Sequence, residues 1–125
     1  EATIRESRLG CMMTIHSWQA SRDWTELGTV RTAGENSLSE TRGAWADNVM
    51  ARMIDGVPRG RFALSEKIWH PGLARDYLLA KHNAITFRME VTTAGQGLDG
   101  FRETGRRFLA NLADISDWTP ACGGK

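Results

Sequence analysis

Gly10-Cys11-Met12-Met13-Thr14-Ile15-His16 is a short apolar run that ends in polar residues. That length suits a buried strand of the parallel-sheet type better than a helix. From Ser17 to Asn36 the apolar periodicity lapses, and Gly28, Gly34 and several Ser and Thr residues predict a long loop. Loops of about 20 residues are uncommon in compact domains unless they have a function. Ser37-Leu38-Ser39-Glu40 fits a capping box, the Ser37 hydroxyl and Glu40 carboxylate satisfying exposed amide donors. The helix that follows places Trp45, Val49 and Met53 on one stripe, flanked by Leu38 and Ala46, and stops at Gly56 ahead of Pro58. Arg59 to His70 reads as loop with a short extended piece at Phe62-Ala63-Leu64. A shorter helix is predicted from about Pro71 to Lys81, proline suiting a first turn. Ala84 to Val91 alternates apolar and polar, the signature of a strand, until Gly95 and Gly97 break it. Leu98 to Ile115 forms a last helix with Phe101, Phe108, Leu112 and Ile115 along one face. This order of elements predicts an α/β domain whose sheet is covered by helices.

Composition narrows the function. The chain has 125 residues, enough for one domain, and 16 basic residues oppose 15 acidic ones for a net charge of +1. A protein that binds nucleic acid by massed phosphate neutralisation needs a basic surplus, so no nucleic-acid partner is expected. No apolar stretch approaches the roughly 18 residues of a membrane span, so no membrane partner is expected either. Glu1 to Glu6 lack the basic start and apolar centre of a signal peptide and contain no Met, so an upstream portion is expected. Cys11 and Cys122 form no Cys-x-x-Cys pair and read as two unpaired thiols, the alternative being one bridge between the first strand and the tail, so the redox compartment stays open.

Two residues are placed for chemistry. His16 ends the first strand, and ligands in α/β sheets bind at the carboxyl ends of strands. Glu90 stands near the end of the later strand and shares a face with Arg88 and Thr86, while Ile85, Phe87 and Met89 take the other. Each has a plain alternative, a histidine satisfied by backbone groups and a carboxylate that is merely the first solvated residue. There is no Gly-x-Ser-x-Gly elbow, phosphate-binding glycine loop or His-Glu-x-x-His zinc helix. Ser17 next to His16 makes no dyad, because neighbouring strand side chains point to opposite faces.

Met13-Thr14-Ile15-His16-Ser17-Trp18-Gln19 resembles the strand of the zinc carboxypeptidases that ends in their third zinc ligand, a His followed by Ser and an aromatic. Tyr77 to Glu90 resembles the family's later helix and its strand of the form Thr-Phe-x-x-Glu, whose Glu is the general base. The 74 positions from His16 to Glu90 are similar to the family's separation. The resemblance runs from about Gly10 to Trp118. It implies that residues 1–125 are the C-terminal portion of a mixed-sheet α/β/α carboxypeptidase-like domain. It further implies His16 as a zinc ligand, Glu90 as the catalytic base, and Arg75, Arg88 and Trp18 as substrate-binding residues. The implied activity is zinc-dependent hydrolysis of a C-terminal peptide or amide bond in an intact parent. The substrate is then a peptide or N-acyl amino acid, and two arginines facing one pocket favour an acidic last residue; the alternative is that Arg75 pairs with Asp76 or Glu66, and Arg88 with Glu90. The family's first two ligands come from a His-x-x-Glu motif, whereas His16, His70 and His82 are followed at that spacing by Gln19, Leu73 and Ile85. Its substrate-capping Tyr would fall near Ile68-Trp69-His70, where none is present. The residues alone are therefore expected to be inactive, and the alternative is a non-catalytic α/β binding domain that has lost the metal site.

Overall fold

The computed structural model describes residues 10–17, 22–63, 74–92, 94 and 96–118. Six strands and three helices alternate along them. They are β1 (Cys11–Ser17), β2 (Thr25–Thr29), β3 (Thr32–Ala33), β4 (Asn36–Ser37), α1 (Glu40–Ile54), β5 (Gly60–Ala63), α2 (Ala74–His82), β6 (Ile85–Val91) and α3 (Gly97–Ala113). Four strands make a mixed sheet in the order β1-β6-β2-β5, and β3 with β4 form a separate small ribbon. β1 runs parallel to β6, β6 antiparallel to β2, and β2 parallel to β5. Among the described strands the last in sequence, β6, is thus internal, and the first, β1, lies at the edge.

Alternation along β6 gives the sheet two unlike faces. Ile85, Phe87 and Met89 are sealed from solvent and join Leu27, with α1 contributing Ala46, Val49, Met50 and Met53 and α3 contributing Phe108. Trp45 closes the edge of this core against Phe87 and Trp118. After α3 the chain returns along α1, where Asp117 accepts hydrogen bonds from Trp45 Nε1 and Arg52 Nη1, both at 3.0 Å. On the opposite face α2 lies over the first half of β6. Thr86 Oγ1 donates to the Arg75 carbonyl, and Leu79 packs with Val30 and Ala33. Asn83, at φ +51°, ends α2 in the left-handed conformation that asparagine tolerates. Asn36 Nδ2 donates to the Leu79 and Ala80 carbonyls of its last turn.

Several expectations are corrected. The stretch from Ser17 to Asn36 holds β2, β3 and β4 rather than one loop. β2 reads Thr-Glu-Leu-Gly-Thr, and its two threonines are buried through hydrogen bonds rather than hydropathy, Thr25 Oγ1 accepting from Thr92 N and Thr29 Oγ1 donating to the Thr86 carbonyl. The cap of α1 is Ser39, whose hydroxyl accepts from Arg42 N, because Ser37 is held in β4 with its hydroxyl against that of Thr32. Phe101 lies on the exposed side of α3, while Phe108 and Ile115 are buried. Cys11 is disulfide-bonded and no described cysteine is free, which overturns the reading of two unpaired thiols. It sits half-buried on an edge strand, where a second sulfur can approach; the only other cysteine, Cys122, lies outside the described residues. The extended piece predicted at Phe62-Ala63-Leu64 corresponds to β5 as far as Ala63, while Leu64 and the start of the Pro71 helix lie outside the described residues. Among the described residues no helix is long and apolar enough to cross a membrane.

Candidate functional site

The polar face carries the charged residues, and strand register sets their order. His16 pairs with Glu90 across β1 and β6, Glu90 with Glu26 across β6 and β2, and Glu26 with Arg61 across β2 and β5. Register partners on adjacent strands point to the same face and stand about 5 Å apart. His16, Glu90, Glu26 and Arg61 therefore form one row across the sheet, at the carboxyl ends of β1 and β6. The next row holds Thr14, Arg88 and Gly28.

Arg88 ties the two carboxylates together. Its Nη1 lies 3.7 Å from Glu90 Oε1 and its Nη2 lies 3.6 Å from Glu26 Oε1. Gly28 stands opposite Arg88 and, lacking a side chain, leaves the guanidinium room to cross towards β2. Side-chain exposure is 13% for Glu90, 18% for Glu26 and 32% for Arg88, so the network is largely shielded from water. At these separations the contacts are electrostatic rather than well-formed hydrogen bonds. Glu26 Oε2 accepts from Trp24 Nε1 at 3.2 Å. The Trp24 ring in turn carries two cations, Arg61 with Cζ 5.0 Å from the centroid and Arg22 at 5.4 Å.

His16 and Glu90 are brought together, with Arg88 beside them, and the imidazole of His16 is exposed at the end of β1. Arg75 is elsewhere. It lies on α2 with its Nε 3.4 Å from Oδ1 of the fully buried Asp76. The two arginines offered for an acidic substrate end thus each have a carboxylate of the chain close by. Trp18 and the segment Ile68-Trp69-His70 lie outside the described residues. Glu26 and Trp24 escaped the sequence reading because they sit in and beside β2, which hydropathy did not reveal, and Arg61 because without β2 its strand has no neighbour to give it a place.

Zinc at catalytic sites takes three protein ligands from nitrogen, sulfur or carboxylate oxygen. The described residues contain no group of three or more His, Cys, Asp or Glu side chains that could hold a metal ion. His16 offers one nitrogen, and both neighbouring carboxylates are engaged by Arg88, so these residues alone do not fit a zinc ion. What the row can do is hold a carboxylate in a fixed position beside an exposed imidazole, with Arg88 fixing the carboxylate's orientation. Set against protein-family models, curated proteins and solved structures, the chain finds no match.

Proposed function

We propose that this chain carries part of the site of a zinc carboxypeptidase-like hydrolase, with His16 as one metal ligand and Glu90 as the proton-handling carboxylate. One observation carries the reading: two residues 74 positions apart are register partners at the carboxyl ends of parallel strands, on one polar face. A base and a ligand that share a water need to be neighbours, and this register makes them so. Glu90 takes a proton from the attacking water as its oxygen bonds to the scissile carbonyl carbon. It then gives that proton to the amine as the carbon–nitrogen bond breaks. Zinc, when bound, supplies polarisation of the carbonyl and a more acidic water.

A second reading, a non-catalytic α/β binding domain, draws on the Arg88 bridge. A guanidinium shared by two carboxylates is also what a purely structural polar face would contain. Two measurements separate the readings. In a parent that contains the remaining ligands, Glu90→Gln keeps metal affinity and removes most hydrolysis; undiminished hydrolysis rules the assignment out. The 125-residue chain itself binds zinc more weakly than about micromolar by calorimetry, since one imidazole is far short of the usual ligand set. Tighter binding that His16→Ala abolishes shows a fuller metal site in these residues than the described ones contain.

A further inference from the structure

Arg42 is a charged side chain that the packing of the described residues does not explain. It stands in the first turn of α1, on the same stripe as Ala46, Val49 and Met53, and is only 8% exposed. All three guanidinium nitrogens are closed off from solvent, and none has a hydrogen-bond partner. The other charges on this half of α1 do not compensate it. Asp47 is paired with Arg31. Glu40 is exposed and, two positions earlier, lies about 200° round the helix. A buried cation without a partner is costly, so its presence points to an anion that completes it.

Topology puts Arg42 where an anion is well received. β2 and β5 are parallel neighbours joined through α1, and the chain turns from α1 straight into β5, the Gly60 N–H donating to the Val57 carbonyl. α1 therefore runs back against both strands, with its N-terminus at their carboxyl ends, where α/β sheets bind ligands. Because β6 runs antiparallel to β2, this is the end of the sheet away from Glu90, and α1 covers the apolar face rather than the polar one. Helix side chains lean towards the N-terminus, which carries the Arg42 guanidinium towards the amides of the first turn. The Ser39 hydroxyl takes the N–H of Arg42, leaving those of Glu40 and Thr41 without an intrahelical acceptor.

We infer that Arg42 and the N-terminus of α1 form a binding site for a phosphate group, independent of the hydrolase reading of the polar face. Arg42 supplies one positive charge and a helix end about half of one, against about 1.5 to 2 negative charges on a phosphate monoester at neutral pH. The helix amides and the guanidinium fork donate from different directions, which suits a tetrahedral oxyanion better than a planar carboxylate. The phosphate enters as side chains at this end of α1 part, among them half-buried Leu38 beside the cap.

Calorimetry on the 125-residue chain tests this with inorganic phosphate and with methyl phosphate, in chloride buffer of fixed ionic strength at about pH 7.5, where both are mostly dianionic. The chain binds at least one of them, and Arg42→Met, which keeps the stem and removes the donors, weakens that binding about tenfold or more. Arg42→Lys, which keeps the charge but not the fork, retains part of the affinity. Thermal unfolding supplies a second reading: phosphate raises the midpoint of the parent and leaves that of the Met variant unmoved. Preference for methyl phosphate assigns the site to an esterified phosphate, and preference for inorganic phosphate to the free ion. Absence of binding by both overturns the inference, as does equal binding by the parent and the Met variant. Acetate bound as tightly as phosphate overturns the choice of a tetrahedral anion.

Discussion

Replacing Arg88 by Met isolates what the guanidinium does for the polar face. Methionine keeps most of the length and the apolar stem, so the change removes a charge rather than a volume. Glu26 and Glu90 then face each other as register partners with no cation between them. Like charges directly opposite on neighbouring strands are destabilising. With the carboxylates about 6 Å apart at an effective dielectric constant of 20, the repulsion is about 3 kcal/mol. Their residual exposure of 13 and 18% lowers this to about 2 kcal/mol. Urea unfolding followed by tryptophan fluorescence at neutral pH and low salt should show that loss. About 0.5 M salt should recover part of it, since the screening length falls to a few ångströms. Arg88→Lys, which restores one charge, should recover more than half. A Met variant within about 0.5 kcal/mol of the parent, or a gap indifferent to salt, would falsify the electrostatic account of this row.

Arg42 makes the opposite case: it is 8% exposed on the buried side of α1, and none of its three guanidinium nitrogens has a hydrogen-bond partner. Burial lowers its pKa from the usual arginine value, so Arg42→Met should stabilise the fold, by about 1–3 kcal/mol, and a fall in the thermal midpoint would refute this. Asp117 is held below the usual carboxylate range by hydrogen bonds from Arg52 and then Trp45. A lowered folded pKa means that its stabilisation is complete above the ordinary carboxylate value and disappears as pH falls through the folded one. Asp117→Asn should therefore be less stable than the parent at pH 7, with the gap narrowing as pH falls below the ordinary range; a gap constant between pH 7 and pH 3 would remove that explanation.

Elements with a clean period were legible in the sequence. β6 alternates strictly, and the Trp45-Val49-Met53 stripe of α1 gives its helical spacing; Val49 and Met53 are sealed and Trp45 is half-buried. Glu90 could be found because it stands near the end of such a segment, and His16 because it closes a short apolar run. β2 could not, because Leu27 is its one aliphatic residue and its threonines are buried by hydrogen bonding. The pairing of Arg88 with Glu90 follows from their shared strand face, whereas the second carboxylate on Arg88, Glu26, is hidden without β2. The capping error has a similar cause. Ser37 and Ser39 are equally good cap residues locally, and only the pairing of Ser37 with Thr32 assigns the role to Ser39.

The central place of β6 also dictates an order of assembly. β1, β2 and β5 are all made before it, yet β1 touches β2 only through β6. During synthesis β1 has no lateral neighbour among the described strands until residue 91 has left the ribosome, a wait of several seconds at about 5–20 residues per second. Closing a pair of strands whose partners are 74 positions apart carries a large loop-entropy cost before any contact repays it, which makes for slow folding. Meanwhile an apolar strand with Met12, Met13 and Ile15 is open to pairing with other chains. Polypeptides truncated before Ile85 are consequently the species that should aggregate, even though they contain three of the four strands of the sheet.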